Sequence, residues 1–247
     1  MFKLLKCIGT MSILAANMPV YLLNEDLEFP DPELAQPDGL LAIGGDLNPG
    51  RLLLAYEKGI FPWYNPADPI LWWSPDPRGV IIPSQIKVSN SMRNVLNRED
   101  YTLSFDKNFP EVIRNCRIQK RNENGTWISD DISKAYTQLH EIGLAHSVEV
   151  WRDKKLVGGL YGVSIGNAFF GESMFSAEKN CSKIALIHLS RVLEKLNFSM
   201  IDCQLYTQHL GTLGAVEMSR TEFLAKLKSS LKNDSIVGNW GQNPNFQ

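Results

Sequence analysis

The chain lacks an excess of charge of either sign. Its 25 Lys and Arg side chains nearly balance its 27 Asp and Glu side chains, so its 247 residues carry a formal net charge of −2 at pH 7. Because phosphate binding requires clustered Lys and Arg, this balance excludes a protein that coats nucleic acid indiscriminately. Any contact with nucleic acid must therefore involve a local surface.

Patterns that bind metals or form covalent intermediates are also lacking. The four cysteines are widely separated without a CxxC pair, and the four histidines show no ligand spacing. This excludes a disulfide framework and a zinc site, and it fits a reducing cytosol. A GxSxG elbow and a Cys-His pairing are missing as well, so a covalent acyl-enzyme has no support. The segment GLLAIGGDL (residues 39–47) lacks the Gly-Lys-Ser/Thr ending of a triphosphate loop, and its glycines are interpreted as turn residues.

The apolar stretch at the N-terminus is too short to span a bilayer. Two lysines precede residues 8–16 in a pattern like that of a signal peptide, but polar residues interrupt the stretch. We interpret residues 1–17 as an extension that results from a start codon assigned too early, and we expect a cytoplasmic protein.

The first half of the chain, up to residue 124, is rich in proline and tryptophan. A helix is predicted over residues 49–58, because Asn48 can cap it, Pro49 suits its first position and Gly59 can end it. Shorter helices are predicted at 89–98 and 109–119, with a strand at 101–105 between them. These elements predict a small α+β domain in two parts, residues 18–78 and 79–124.

The second half has more regular periodicity. Ser129 caps a predicted helix that ends at Gly143, and a capping box from Ser219 to Glu222 opens a last helix to residue 231. Between them the pattern predicts three antiparallel strands, a helix and a further strand, at residues 146–151, 156–164, 168–174, 182–196 and 200–206. This order is typical of acyltransferases and predicts a catalytic domain over residues 125–231, followed by a frayed tail at 232–247.

Three tryptophans lie close together within the proline-rich part. Trp63, Trp72 and Trp73 either fill a core that helices cannot fill or form a stacking platform for a nucleotide base. Both interpretations stay open for Trp63, and we expect at least one of Trp72 and Trp73 in the core.

Two acidic positions lie on predicted strands with apolar neighbours. Glu172 is either solvated on a strand face, or it faces inward, where burial raises its pKa or a cation pairs with it. Asp202 and Gln204 are two residues apart on one predicted strand, so their side chains are expected on the same face, with Cys203 on the opposite one. Asp202 could instead cap a helix or pair with a core lysine, but a functional role is favoured because a buried carboxylate without a partner is costly.

Basic side chains recur at helical spacing near residue 115. Most charge runs are solvated faces, but this one is opposed only by Glu111 and Glu123 and is therefore a candidate for the phosphates of a nucleic acid. It consists of Arg114, Arg117, Lys120 and Arg121.

Taken together, a series of motifs in order resembles the leucyl/phenylalanyl-tRNA–protein transferase family. They are GLLAIGGDL, GIFPWY (59–64), DPILWWSPDPR (68–78), GTWI (125–128), HSVEVW (146–151), LVGGLYGV (156–163), GESMFS (171–176) and IDCQ (201–204). The resemblance implies an α+β protein with a small N-terminal domain and a GNAT acetyltransferase-like C-terminal domain that has a mixed sheet flanked by helices. It also implies a cytoplasmic enzyme of the bacterial N-end rule, without metal or cofactor, that moves Leu or Phe (less readily Met) from aminoacyl-tRNA to proteins beginning with Arg or Lys. We expect a monomer.

The resemblance also implies roles for individual residues. Gln204 would touch the substrates and Asp202 would orient it, so that the attacking α-amine is positioned and activated. The pocket around the aminoacyl-adenosine end or the acceptor would comprise Trp63, Trp127, Leu160, Phe169, Glu172, Leu189 and Leu193. Leu160, Leu189, Leu193 and Thr207 depart from the family pattern, which leaves the Leu/Phe preference open in an apolar pocket.

Two rival functions remain. An acetyl-CoA-dependent N-acetyltransferase would have the same order of elements, although GTLGAV (211–216) is a poor substitute for its pyrophosphate loop. A non-catalytic tRNA-binding adaptor would tolerate the loss of Asp202 and Gln204.

Overall fold

The computed structural model describes residues 19–98, 100–119 and 126–246. The predicted extension at residues 1–17 and the basic residues Lys120 and Arg121 lie outside this range. No helix in the described part combines the length and the apolar character that crossing a membrane requires.

A small sheet is built from the proline-rich part of the chain. Its strands are two to five residues long, which is expected where prolines remove ladder donors. Trp72 is fully buried against this sheet, and its indole Nε1 donates to the carbonyl of Gly44 (2.8 Å). In the described residues the strand order is β1-β2-β4-β3, with β1 Tyr21–Leu23, β2 Leu40–Gly44, β3 Phe61–Pro62 and β4 Leu71–Trp73.

The predicted first helix is confirmed as α1 (Pro49–Glu57). Pro49 occupies its first turn, and Gly59 follows its end with a φ of +71°. Asn48 is at the N-cap position, but its side chain makes no capping hydrogen bond.

The described residues also form a seven-stranded mixed sheet. Its order is β11-β5-β10-β9-β8-β7-β6; β9 and β10 are parallel, and every other pair is antiparallel. The predicted antiparallel meander is confirmed in β7, β8 and β9. The strands are β5 Arg78–Ile81, β6 Thr102–Phe105, β7 Ala145–Arg152, β8 Lys155–Ile165, β9 Ala168–Ser176, β10 Met200–Asp202 and β11 Val216–Met218.

Helices cover both faces of this sheet. Tyr161 of β8 packs with α3 and α4, whereas its neighbour Leu160 packs with α5, as the alternation of a strand requires. The helices are α2 Asn90–Leu96, α3 Phe109–Ile118, α4 Asp130–Glu141, α5 Cys181–Lys195, α6 Gln208–Gly211 and α7 Arg220–Ser230. The Ser129 cap and the Ser219–Glu222 capping box form as predicted. The α+β class is therefore confirmed.

The large sheet takes strands from both halves of the chain. β5 and β6 precede residue 125, whereas β7 to β11 follow it. The division into two domains at residue 125 stays a prediction. It does not separate two sheets, because strands from both sides of this residue pair in the same sheet.

The expectation of a frayed tail at residues 232–247 is wrong for the described part, which ends at 246. Trp240 is fully buried, and its backbone N–H donates to Asp106 Oδ2 (2.8 Å) while its indole stacks on His146 with ring centroids 3.7 Å apart. Phe246 is also buried and stacks on Trp240. Two large aromatic rings bury enough apolar area to hold a segment whose other residues are mostly Asn, Gly and Ser.

Candidate active site

A cavity of about 530 Å³ opens beside β9, β10 and the N-terminal part of α5. Seven of the residues expected at the site line it, although they come from six separate segments. They are Trp63, Trp127, Leu160, Phe169, Glu172, Leu189 and Gln204. Leu193 is buried in the core without lining the cavity, and Asp202 also does not line it.

Pairing between β9 and β10 brings Glu172 and Gln204 to the same wall. The two strands are parallel, and their last pair is Phe170 opposite Asp202, shortly before Glu172 on one strand and Gln204 beyond the end of the other. Gln204 Nε2 donates to Glu172 Oε1 over a long 3.4 Å. An acid and an amide therefore lie side by side at the cavity.

Glu172 is the extra residue of a β-bulge. Tyr161 of β8 pairs with Ser173, but the next residue, Gly162, pairs with Gly171, which leaves Glu172 without an opposite residue. Bulges re-aim side chains near active sites. Here the bulged side chain turns toward α1 and α4.

Two tyrosines hold the carboxyl group of Glu172. The hydroxyl of Tyr56 of α1 lies 2.7 Å from Oε1, that of Tyr136 of α4 lies 2.9 Å from Oε2, and the two hydroxyl groups are within hydrogen-bond distance of each other. Burial raises the pKa of Glu172 to about 7, against the opposing effect of these hydrogen bonds. The sequence left open whether Glu172 is solvated on a strand face or faces inward. In the structure it faces inward, and burial raises its pKa. The pairing of Tyr56 and Tyr136 was missed, since the sequence marks both only as apolar-face helix residues.

Asp202 forms a buried ion pair with Arg78. The guanidinium donates through Nε to Oδ1 (2.8 Å) and through Nη2 to Oδ2 (2.7 Å), and both side chains are at most 1% exposed. The rings of Phe61 and Phe223 lie 4.7 and 4.5 Å from the guanidinium carbon. The sequence left open that Asp202 pairs with a core lysine. The structure shows such a buried pair, but its cation is an arginine.

The expectation that Asp202 and Gln204 share a strand face is wrong. Strand β10 ends at Asp202, and Gln204 has a φ of +58° in a tight turn closed by Leu205 N–H and the carbonyl of Cys203 (2.7 Å). The turn directs Gln204 and Cys203 to the cavity, and burial raises the pKa of the Cys203 thiol. Asp202 still reaches its neighbour, because Oδ1 accepts the backbone N–H of Gln204 (2.9 Å).

The tryptophans fall into a core residue and residues at the cavity, as the sequence suggests. Trp72 is core, whereas Trp63 and Trp127 are half-buried at the cavity. Trp73 supports Trp63 from behind, with ring centroids 5.9 Å apart and its Nε1 donating to the carbonyl of Trp63 (2.6 Å).

The basic residues Arg114 and Arg117 of α3 do not line this cavity, and both have acidic partners. Arg114 pairs with Glu111 (2.5 Å), and Arg117 pairs with Asp130 of α4, so the expectation that only Glu111 and Glu123 oppose these charges is wrong. The helix is followed by Gln119, which lines the cavity. The assignment of this helix to tRNA stays a prediction.

Two family models match the chain in order. The model described as leucyl/phenylalanyl-tRNA protein transferase N-terminal domain matches residues 45–76, and the one described as leucyl/phenylalanyl-tRNA protein transferase matches residues 80–228. A solved structure described as that of L-PGS from Bacillus licheniformis matches with a TM-score of 0.38 and 12% identity over 69% of this chain and 57% of that chain, which is too low to support an argument.

Curated relatives of the same name are similar over most of their length. The transferase of Syntrophus aciditrophicus is 53% identical over 92% of this chain and 95% of its own. That of Cellvibrio japonicus is 57% identical over 82% and 87%, and that of Flavobacterium johnsoniae is 52% identical over 85% and 100%. The chain therefore belongs to the leucyl/phenylalanyl-tRNA–protein transferase family, enzymes that transfer an aminoacyl group from tRNA to a protein.

Proposed function

We propose that this enzyme transfers leucine or phenylalanine, and less readily methionine, to the N-terminus of proteins that begin with arginine or lysine. The observation that carries the proposal is the division of the cavity into an apolar part and a wall formed by an acid and an amide. Leu160, Phe169 and Leu189 line the apolar part, and Glu172 and Gln204 form the wall.

The apolar part suits the side chain of the transferred amino acid. Leu186 and Ile201 extend the surface formed by Leu160, Phe169 and Leu189. Burying a leucine or phenylalanine side chain in such surroundings is favourable by about 1.5–3 kcal/mol, whereas a charged side chain would lose its hydration. Preference for apolar amino acids follows from this composition.

Trp63 and Trp127 are proposed to hold the 3′-terminal adenosine. Both indoles are half-buried at the cavity, and base stacking on an aromatic ring contributes about 1–3 kcal/mol. The support that Trp73 gives to Trp63 fixes the plane on which a base would stack.

The acid and the amide are proposed to receive the acceptor. A carboxyl group attracts the cationic N-terminus of a protein beginning with Arg or Lys, and the amide of Gln204 offers both a donor and an acceptor. Asp202 is a positioning residue, since it holds the backbone N–H of Gln204 and is itself held by Arg78. An aminoacyl ester is already activated, so orientation, proton removal and stabilisation of the oxyanion suffice without metal or cofactor.

The tRNA body is proposed to lie along α3. Arg114 and Arg117 are on this helix, Lys120 and Arg121 follow it in sequence, and Gln119 brings its end to the cavity. Exposed ion pairs contribute little to stability, so phosphates can replace Glu111 and Asp130 as partners at small cost.

The wider setting belongs to the same proposal. We infer a cytoplasmic monomer of the N-end-rule degradation route, in which the added residue marks a protein for proteolysis. A GNAT-like catalytic domain over residues 125–231 is proposed with it, supported by the order of helix α4, the meander β7–β9, helix α5 and strand β10.

The test is transfer of labelled leucine from Leu-tRNA to a peptide that begins with arginine. A peptide beginning with glycine is the substrate control, and Glu217→Gln, an exposed site on β11, is the protein control. We expect label in the arginine peptide, and a large loss with Asp202→Ala and with Gln204→Ala. No label with the unaltered enzyme would refute the proposal, and full transfer by both variants would refute the site. Heat from acetyl-CoA binding in calorimetry would instead favour an N-acetyltransferase.

A further inference from the structure

The hydrogen bonds around Glu172 form a closed ring that needs three protons. Tyr56, Tyr136 and the carboxyl group of Glu172 make three contacts with one another, one between each pair. Burial raises the pKa of both tyrosines well above the usual value, so each hydroxyl group keeps one proton. The third proton can come only from a neutral Glu172.

Both protonation states of Glu172 are therefore stabilised by the same two residues. The neutral acid completes the ring, whereas the ionised carboxylate receives a hydrogen bond from each tyrosine. The other charged groups that act on it are Asp202, which raises its pKa, and Arg78, which lowers it. A group arranged in this way can exchange a proton with small rearrangement of its surroundings.

Neither Gln204, the other residue of the wall, nor the nearby Asp202 can serve as this proton acceptor. Gln204 has an amide, which is not basic, and the carboxylate of Asp202 accepts three hydrogen bonds inside a buried ion pair away from the cavity. Among the described residues that line the cavity, Glu172 is the one carboxylic acid. His209 also lines the cavity, beside Lys183, and is the competing candidate for the base.

We propose that Glu172 is the general base of the transfer reaction, and that Tyr56 and Tyr136 are positioning residues that complete its proton-accepting ring. This inference rests on the proposed function, because it assumes an acceptor amine at the wall formed by Glu172 and Gln204.

The acceptor nitrogen loses two protons in the proposed step, one to Glu172 and one to the leaving ribose oxygen. The α-ammonium group gives one proton to the carboxylate of Glu172, and the neutral nitrogen forms a bond with the ester carbonyl carbon. The bond between this carbon and the ribose oxygen then breaks, and the ribose oxygen takes the second proton of the nitrogen. Glu172 releases its proton to water, so that one proton leaves for each peptide bond formed.

The proposal predicts how the rate depends on pH. A base must be ionised to act, so kcat/KM rises with pH and is half-maximal near the pKa of Glu172, about 7. The proposed step starts from the ammonium form of the acceptor, so loss of its proton, with a pKa of about 8, adds a falling limb at higher pH. Variants of Tyr56 and Tyr136 separate the two limbs, because they leave the acceptor unchanged.

The decisive variant is Glu172→Gln, because the amide can keep the ring intact. Its N–H donates to Tyr136, Tyr136 donates to Tyr56, and Tyr56 donates to the amide oxygen, so folding and pocket shape are preserved. We expect kcat to fall by about 100-fold or more, the range that general-base catalysis supplies, with a smaller change in KM for the arginine peptide. A rise in KM with unchanged kcat would overturn the proposal and make Glu172 a binding group for the acceptor's charge.

Tyr56→Phe and Tyr136→Phe test the ring. Each removes a hydrogen bond that lowers the pKa of Glu172, so the lower limb of the pH profile should move to higher pH. Unmoved pH profiles in both variants would overturn the role of the ring.

His209→Gln should keep the pH profile of kcat/KM, and loss of its rising limb in that variant would assign the base to His209. Transfer by the unaltered enzyme is required in every series, so failure of the proposed function is seen separately, as absence of label in all samples.

Discussion

Replacing Asp202 by asparagine removes the charge that compensates the buried guanidinium of Arg78. Asparagine can still accept one hydrogen bond through its oxygen, but its amide N–H groups then face Nη2, which is also a donor. Arg78 keeps its bond to the carbonyl of Gly59 (3.0 Å) and its position between two phenylalanine rings, neither of which neutralises the charge. Breaking a buried pair by removing one partner costs about 3–5 kcal/mol, and we expect a loss of this size in the free energy of unfolding.

Urea unfolding followed by tryptophan fluorescence measures the effect, and a double variant isolates its cause. Asp202→Leu combined with Arg78→Met replaces both charges by apolar groups, and such replacement of a buried pair is often close to neutral. The double variant should therefore be more stable than Asp202→Leu and than Arg78→Met, the two single variants that compose it. Arg117→Ala, which breaks an exposed pair, should leave the midpoint unchanged. If the two single losses simply add in the double variant, the reasoning about an uncompensated buried charge is wrong.

Three other predictions follow from the tail, the stacking surface and the turn. Trp240→Ala should lower the free energy of unfolding by about 3–5 kcal/mol, and a wild-type urea midpoint would contradict the docked tail. Trp63→Ala should weaken aminoacyl-tRNA binding by about 1–3 kcal/mol while Trp63→Phe keeps most of it; equal binding by all three proteins would exclude stacking on Trp63. Gln204→Gly should abolish transfer without loss of stability, because a non-glycine residue in left-handed backbone costs about 1–2 kcal/mol; a less stable Gln204→Gly than Gln204→Ala would contradict the strain at this turn.

Regular elements with local signals could be predicted from the sequence. The Ser129 cap and the Ser219–Glu222 capping box fix helix starts through contacts within four residues, so their outcome does not depend on the rest of the fold. The three-stranded meander followed from alternation and turns. By contrast, the placement of β5 beside β10 and β11 joins residues more than 100 positions apart, and no local pattern encodes that pairing.

The apolar content of the tail was masked by its composition. Asn, Gly and Ser predominate after residue 232, and their average suggests a segment without a core. Trp240 and Phe246 reverse this, because Trp240 stacks between His146 and Phe246 and its backbone is held by Asp106. Two buried aromatic side chains outweigh the average of their polar neighbours.

Most of the residues expected at the site line one cavity, whereas their arrangement there was not predicted. The expected face of Gln204 rested on strict alternation, and the chain leaves regular strand geometry at two places that matter for chemistry. On β9 the bulge turns Glu172 toward the tyrosines, and after β10 the tight turn sends Gln204 to the cavity while Asp202 stays with Arg78. The parallel pairing of Phe170 with Asp202 places both departures side by side. Glu172 and Gln204 therefore meet because neither strand continues regularly, which a prediction based on regular strands could not include.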